Sequence, residues 1–66
     1  MNIFLNGENC QCETNATIQA LLEQQKLINK RIAVEINMEV IPRSEFNDHQ
    51  LQEGDKVEIV HAIGGG

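Results

Sequence analysis

The chain has 66 residues, 41% of them hydrophobic and 23% charged, a composition that suits one folded domain and leaves no room for a second. A domain of this size buries only about 60% of the surface its unfolded chain exposes, too little to enclose a self-sufficient catalytic cavity. Ten acidic residues against five basic ones, a formal net charge of −5, argue against binding nucleic-acid phosphates and favour a basic partner surface.

Residues 1–6 read as a strand, because Met1, Ile3 and Leu5 alternate with Asn2, Phe4 and Asn6. Phe4 is left on the opposite face, where a large apolar side chain is a candidate docking point for a partner. The pair Asn6-Gly7 predicts a type I′ hairpin turn, since that turn needs positive φ at both central positions. A second strand returns over residues 9–13. It carries Cys10 and Cys12 in a C-x-C spacing. Zinc or an iron–sulfur cluster needs four ligands and the chain has only these two cysteines, so no metal site is expected. Positions i and i+2 of an extended segment share a face, which favours two small apolar side chains packed inward over a redox or sulfur-handling pair.

Asn15 and Thr17 are the N-cap candidates for a helix over residues 18–26. Ile18, Leu21 and Leu22 form its apolar stripe, Gln19, Glu23 and Gln24 face water, and Glu23 is placed to pair weakly with Lys26. A helix this short is marginal alone, so its stripe must lie against a sheet.

After a connection over residues 27–30, Ile32, Val34 and Ile36 alternate with Arg31, Ala33 and Glu35 as a third strand. Asn37-Met38 reads as a tight reversal and Glu39-Val40-Ile41 as a short fourth strand, closed by Pro42, which has no ladder N–H. Residues 43–50 are polar except for Phe46, which is expected to plug this loop onto the core. His49 has no second ligand at metal-binding spacing and reads as a surface histidine. Residues 51–55 read as a turn and residues 56–60 as a fifth strand with Val57 and Ile59 on one face. His61 ends that strand, without a partnered Ser or Cys nucleophile.

This order predicts an α+β domain over residues 1–61, a mixed five-stranded sheet packed on one helix, with the first and last strands side by side and parallel at its centre. Residues 62–66 read as a flexible Gly-rich tail. From Val60 to Gly66 the chain can extend roughly 20 Å, enough to enter a partner's active site. Glycine has no Cβ and passes a channel too narrow for other residues, whereas Ile63 is an apolar residue that an idle linker has no reason to carry. Gly66, with its unhindered carboxylate, is the candidate reactive site, and Ile63, Gly64, Gly65 and Phe4 are the candidate partner-binding residues.

The chain contains no G-x-x-x-x-G-K-[ST], G-x-G-x-x-G, H-E-x-x-H or nucleophile-elbow motif, so it reads as a protein acted upon and not as an enzyme with a bound cofactor. No basic segment followed by an apolar run begins it and no stretch approaches a membrane span, so a cytoplasmic location with no membrane contact is expected.

The strand–Asn-Gly–helix opening, Leu51-x-x-Gly54-Asp55-x-Val57-x-Ile59 and the Gly-Gly ending resemble the ubiquitin-like β-grasp fold. More closely, Ile36-Asn37, Pro42-Arg43 and the ending Val60-His61-Ala62-Ile63-Gly64-Gly65-Gly66 resemble the ThiS family, the sulfur carriers of thiamine biosynthesis, over essentially the whole chain. That resemblance implies that a ThiF-like adenylating enzyme uses ATP to convert the Gly66 carboxylate into an acyl-adenylate. Sulfur from a cysteine desulfurase then replaces AMP to give a thiocarboxylate, and a ThiG-like thiazole synthase takes the sulfur into the thiazole ring. Family tails are defined by a terminal Gly-Gly, and Gly64 is a third glycine beyond that pattern. The small subunit of molybdopterin synthase is the nearest alternative resemblance. A ubiquitin-like modifier or docking module using the face around Phe4, and a small redox protein using Cys10 and Cys12, are alternatives of other classes.

Overall fold

A computed structural model describes residues 1–61. The expected tail, with Ile63, Gly64, Gly65 and Gly66, lies outside the described residues.

Alternation and turn chemistry build the first hairpin. β1 (Asn2–Leu5) and β2 (Glu8–Gln11) pair antiparallel, with Ile3 opposite Cys10 and Leu5 opposite Glu8. Between them Asn6 and Gly7 have φ of 50° and 87°, the left-handed values a type I′ turn requires.

α1 (Ile18–Gln24) is capped by Thr17, whose hydroxyl accepts the Ala20 N–H at 3.1 Å. Of the two cap candidates, Asn15 instead takes a left-handed turn conformation, with φ of 66°. The helix is two residues shorter than its sequence suggests. Lys26 adopts φ of 61°, its N–H bonds the Glu23 carbonyl at 3.1 Å, and the Leu27 N–H reaches back to the Leu22 carbonyl at 2.8 Å. This Schellman closure satisfies end carbonyls and turns half-buried Leu27 onto the core. Lys26 therefore stands outside the helix, and the helical spacing to Glu23 no longer applies.

β3 (Ile32–Ile36) and β4 (Glu39–Ile41) form a second antiparallel hairpin. Asn37 and Met38, with φ of 52° and 73°, both take the left-handed turn conformation. A single 3-10 turn over Arg43–Glu45 follows Pro42 within the stretch expected to be a loop, and it delivers Phe46, 3% exposed, into the core. The Arg43 guanidinium lies 5.8 Å from the centre of the Phe46 ring, on the solvent side of that plug.

β5 (Lys56–His61) runs parallel to β1 and antiparallel to β3, giving the order β2-β1-β5-β3-β4 with β5 in the middle. Ile18, Leu21 and Leu22 of α1 pack with Ile3, Val34, Ile36, Val57 and Ile59 of the sheet in one apolar cluster. Burial of each such side chain contributes about 1.5–3 kcal/mol. Leu51, expected in a turn, is a core residue at 2% exposure. Its N–H bonds the Ala16 carbonyl at 2.7 Å, and Thr17 bridges to Gln50, so this stretch is held beside the start of the helix. One helix over one face of a mixed five-stranded sheet is the β-grasp arrangement implied by the resemblance.

Candidate functional site

The centre of the sheet is the base from which the candidate tail departs. β5 is hydrogen-bonded on both sides, and Ile32 of β3 pairs with His61, its last residue. On the other side the pairing with β1 covers only the start of β5, Phe4 opposite Lys56 and Leu5 opposite Val57. At that point β1 turns away, and a side chain takes over. Asn6 donates its backbone N–H to the Val57 carbonyl at 2.8 Å, and its Oδ1 accepts the Ile59 N–H at 2.9 Å. The second hairpin repeats the device at the strand's beginning. Asn37 Oδ1 accepts the Lys56 N–H at 3.0 Å, and its Nδ2 donates to Asp55 at 3.1 Å. Both turn asparagines thus supply φ > 0 locally and an acceptor for β5 at long range.

Phe4 is 37% exposed on the face of the sheet away from α1. It lines a depression of about 270 Å³ with Gly7, Lys56, Val57 and Glu58. The register puts Phe4 next to the first residue of β5, whereas the tail follows the last, about 17 Å along a strand of this length. Phe4 and the root of the tail are therefore at opposite ends of one strand. Val60, 57% exposed, lies on the same face and one residue before His61. Sequence reading did not assign it to a site, although alternation with buried Val57 and Ile59 is the signal that turns it outward. Val40, 65% exposed, extends the outward apolar positions to the far edge. Glu35 pairs with Glu58 between them, so the face is apolar in patches and acidic at its middle.

His49 is half-buried, not a free surface residue, and its carbonyl accepts the Ile18 N–H at 3.1 Å. Among the described residues no three or more His, Cys, Asp or Glu side chains gather to hold a metal ion. Cys10 and Cys12 are free, half-buried thiols packed against the core cluster. Burial raises the Cys12 thiol above its ordinary pKa, and neighbouring Cys10 adds to the effect. None of the helices among the described residues is long and apolar enough to cross a membrane.

The ThiS family model matches residues 3–66. The chain belongs to the ThiS family. It is 33% identical over 66 residues to the sulfur carrier protein ThiS of Escherichia coli, covering 100% of both chains. A crystal structure of the ThiS thiamine biosynthesis protein of Geobacter metallireducens superposes with a TM-score of 0.85 at 30% identity, again over 100% of each chain. The chain is also 38% identical over 66 residues to a thiazole synthase of Paramagnetospirillum magneticum, of which it spans 20% of the length. As a member of the ThiS family it has the ubiquitin-like β-grasp fold, with β5 as its central strand.

Proposed function

We propose that this ThiS-family chain is a sulfur carrier whose Gly66 carboxylate is adenylated, converted to a thiocarboxylate and used as the sulfur donor for the thiazole ring of thiamine. The observation that carries this reading is the likeness to the Escherichia coli sulfur carrier over the full length of both chains. Thiazole synthases that contain a stretch similar to this chain support a thiazole synthase as the acceptor. A ThiF-like adenylating enzyme and a cysteine desulfurase complete the cycle.

The chemistry requires those partners. A carboxylate repels nucleophiles by its own charge and has no good leaving group, and attachment of AMP removes both obstacles. ATP is then a substrate of the adenylating enzyme and not a cofactor of the carrier. The carrier contributes a substrate end that is free of side chains, with Gly64 and Gly65 preceding Gly66 so that the chain can thread a closed site. It also contributes a rigid base, since β5 is fastened by β1, β3 and the side chains of Asn6 and Asn37. Ile63, Gly64 and Gly65 are read as contacts in the partner's channel and Phe4 as a contact on the sheet face.

The test is the intact mass of the chain after incubation with an adenylating enzyme of this class, ATP, cysteine and a desulfurase. The expected result is a gain equal to the exchange of one oxygen for one sulfur, mapped to Gly66. No gain, under conditions where an established carrier reacts, overturns the reading and favours a modifier or docking role for the same tail.

A further inference from the structure

The two cysteines play no part in the proposed chemistry at Gly66, yet the fold arranges them as a pair. β1–β2 pairing continues one step beyond the strands. The Cys12 N–H bonds the Met1 carbonyl at 3.0 Å, and Met1 N donates to the Cys12 carbonyl at 2.8 Å. Residues 10–12 are therefore extended, and Cys10 and Cys12 lie on the same face of the strand. Cys10 is opposite buried Ile3, so that face is the one turned towards the helix. Both thiols are reduced and half-buried at the open edge of the sheet, since β2 is the outermost strand. A shallow depression of about 360 Å³ lined by Gln11, Cys12, Glu13 and Gln24 opens Cys12 to solvent.

Strand geometry then selects among the things two thiols can do. Residues i and i+2 of an extended strand have Cα atoms about 6.8 Å apart. That is the outer limit of disulfide geometry, which brings Cα atoms to about 4.4–6.8 Å and the sulfurs to ~2.05 Å. Closing such a bond would bend β2 and break its pairing with Met1 and Asn2. A metal ion asks less, because bonds near the ~2.3 Å of a metal–thiolate contact span two sulfurs up to about 4.6 Å apart. Ions that demand four ligands are not served, since no group of three or more His, Cys, Asp or Glu gathers among the described residues. Thiolates favour Cu(I), zinc and iron–sulfur centres, and of these zinc and iron–sulfur clusters take four protein ligands, which leaves Cu(I) as the ion content with two soft ligands.

The surroundings suit a charged dithiolate complex. Gln24 Nε2 and Gln25 Nε2 lie 3.9 and 3.8 Å from Cys10 Sγ as N–H donors, and Gln24 Nε2 also donates to the Gln11 carbonyl at 3.0 Å. The Cys10 thiol itself donates to the Gln11 carbonyl at 3.8 Å, a bond that is given up when the proton leaves. Amide donors to a ligating sulfur orient it and offset its charge.

The geometry points to a two-coordinate site for a soft monovalent ion, Cu(I), formed by Cys10 and Cys12 between the edge of the sheet and the end of the helix. Binding breaks two S–H bonds, forms two Cu–S bonds and releases two protons to solvent. No electron moves and the ion remains Cu(I).

The experiment is an anaerobic titration of the full chain with Cu(I) against a chromogenic Cu(I) chelator, with amide NMR spectra and sizing chromatography on the same samples. The expected result is one Cu(I) per monomer, with shifts confined to residues 1–3, 10–13 and 24–25. Cys10→Ser and Cys12→Ser are each expected to lose the one-to-one complex. Retention of the complex by either variant, shifts elsewhere in the wild-type spectrum, or binding only as a copper-bridged dimer would overturn the site. The wild-type NMR map decides the question even if a serine variant folds poorly.

Discussion

Asn6 Oδ1 accepts the backbone N–H of Ile59 at 2.9 Å, a bond between residues 53 positions apart. It lies where β1 stops pairing with β5, so the side chain continues a ladder that the backbone has left. Asn6→Ala removes the acceptor for a half-buried N–H, a loss of about 1–3 kcal/mol. It also places Ala at φ of 50°, which costs about 1–2 kcal/mol more. Asn6→Gly keeps the turn and loses only the bond. Urea unfolding is expected to rank wild type above Asn6→Gly and Asn6→Gly above Asn6→Ala. Hydrogen exchange at Ile59 should quicken in both variants, and unchanged exchange there would show that the side chain does not hold β5.

Met38 presents the opposite case. It takes φ of 73° and is 90% exposed, so it has left-handed strain and little packing in return. Met38→Gly should stabilise the domain by about 1 kcal/mol, equivalent to roughly 4–8 °C in Tm for a domain of this size. A thermal melt of the two proteins checks it, and a lower Tm would mean that Met38 makes contacts that outweigh the strain.

The two phenylalanines should separate stability from recognition. Phe46 is 3% exposed, and Phe46→Ala should cost about 3–5 kcal/mol, a large part of the ~5–15 kcal/mol typical of a whole domain. Phe4, 37% exposed, should cost far less on the same substitution while slowing thiocarboxylate formation with the adenylating enzyme. Equal unfolding midpoints for the two alanine variants, or an unchanged rate for Phe4→Ala, would refute the division.

Cys12 predicts a dependence on alkaline pH. Burial, with Cys10 beside it, raises its folded pKa above the ordinary value of 9.0. Between those two values the folded state holds a proton that the unfolded state has released, so the stability contributed is complete below 9.0 and is lost as pH rises through the folded pKa. Thiol alkylation at Cys12 should accordingly be slower than for an unstructured peptide at pH 9, and Cys12→Ser should flatten the decline of stability above that pH. A steeper decline in the variant would reverse the sign and contradict the burial effect.

What the sequence by itself determined was everything written in local periodicity and turn chemistry. Alternation at Ile32, Val34 and Ile36 marked the core face of β3, the spacing of Ile18, Leu21 and Leu22 marked the buried stripe of α1, and Asn6-Gly7 announced its hairpin. The Gly-rich ending and Pro42-Arg43 carried the resemblance to the ThiS family, because those features are contiguous residues. Tertiary structure decided matters that depend on who lies opposite whom. It chose Thr17 over Asn15 as the cap, ended the helix at Gln24 because Lys26 turns and Leu27 docks, and drew Leu51 out of a polar stretch into the core. It also set the Asn6 side chain on Ile59 and the Asn37 side chain on Lys56. A turn residue's φ is a short-range steric property, legible from its own type and its neighbour's. The N–H that its side chain satisfies belongs to a strand many residues away, and only the assembled sheet brings the two together.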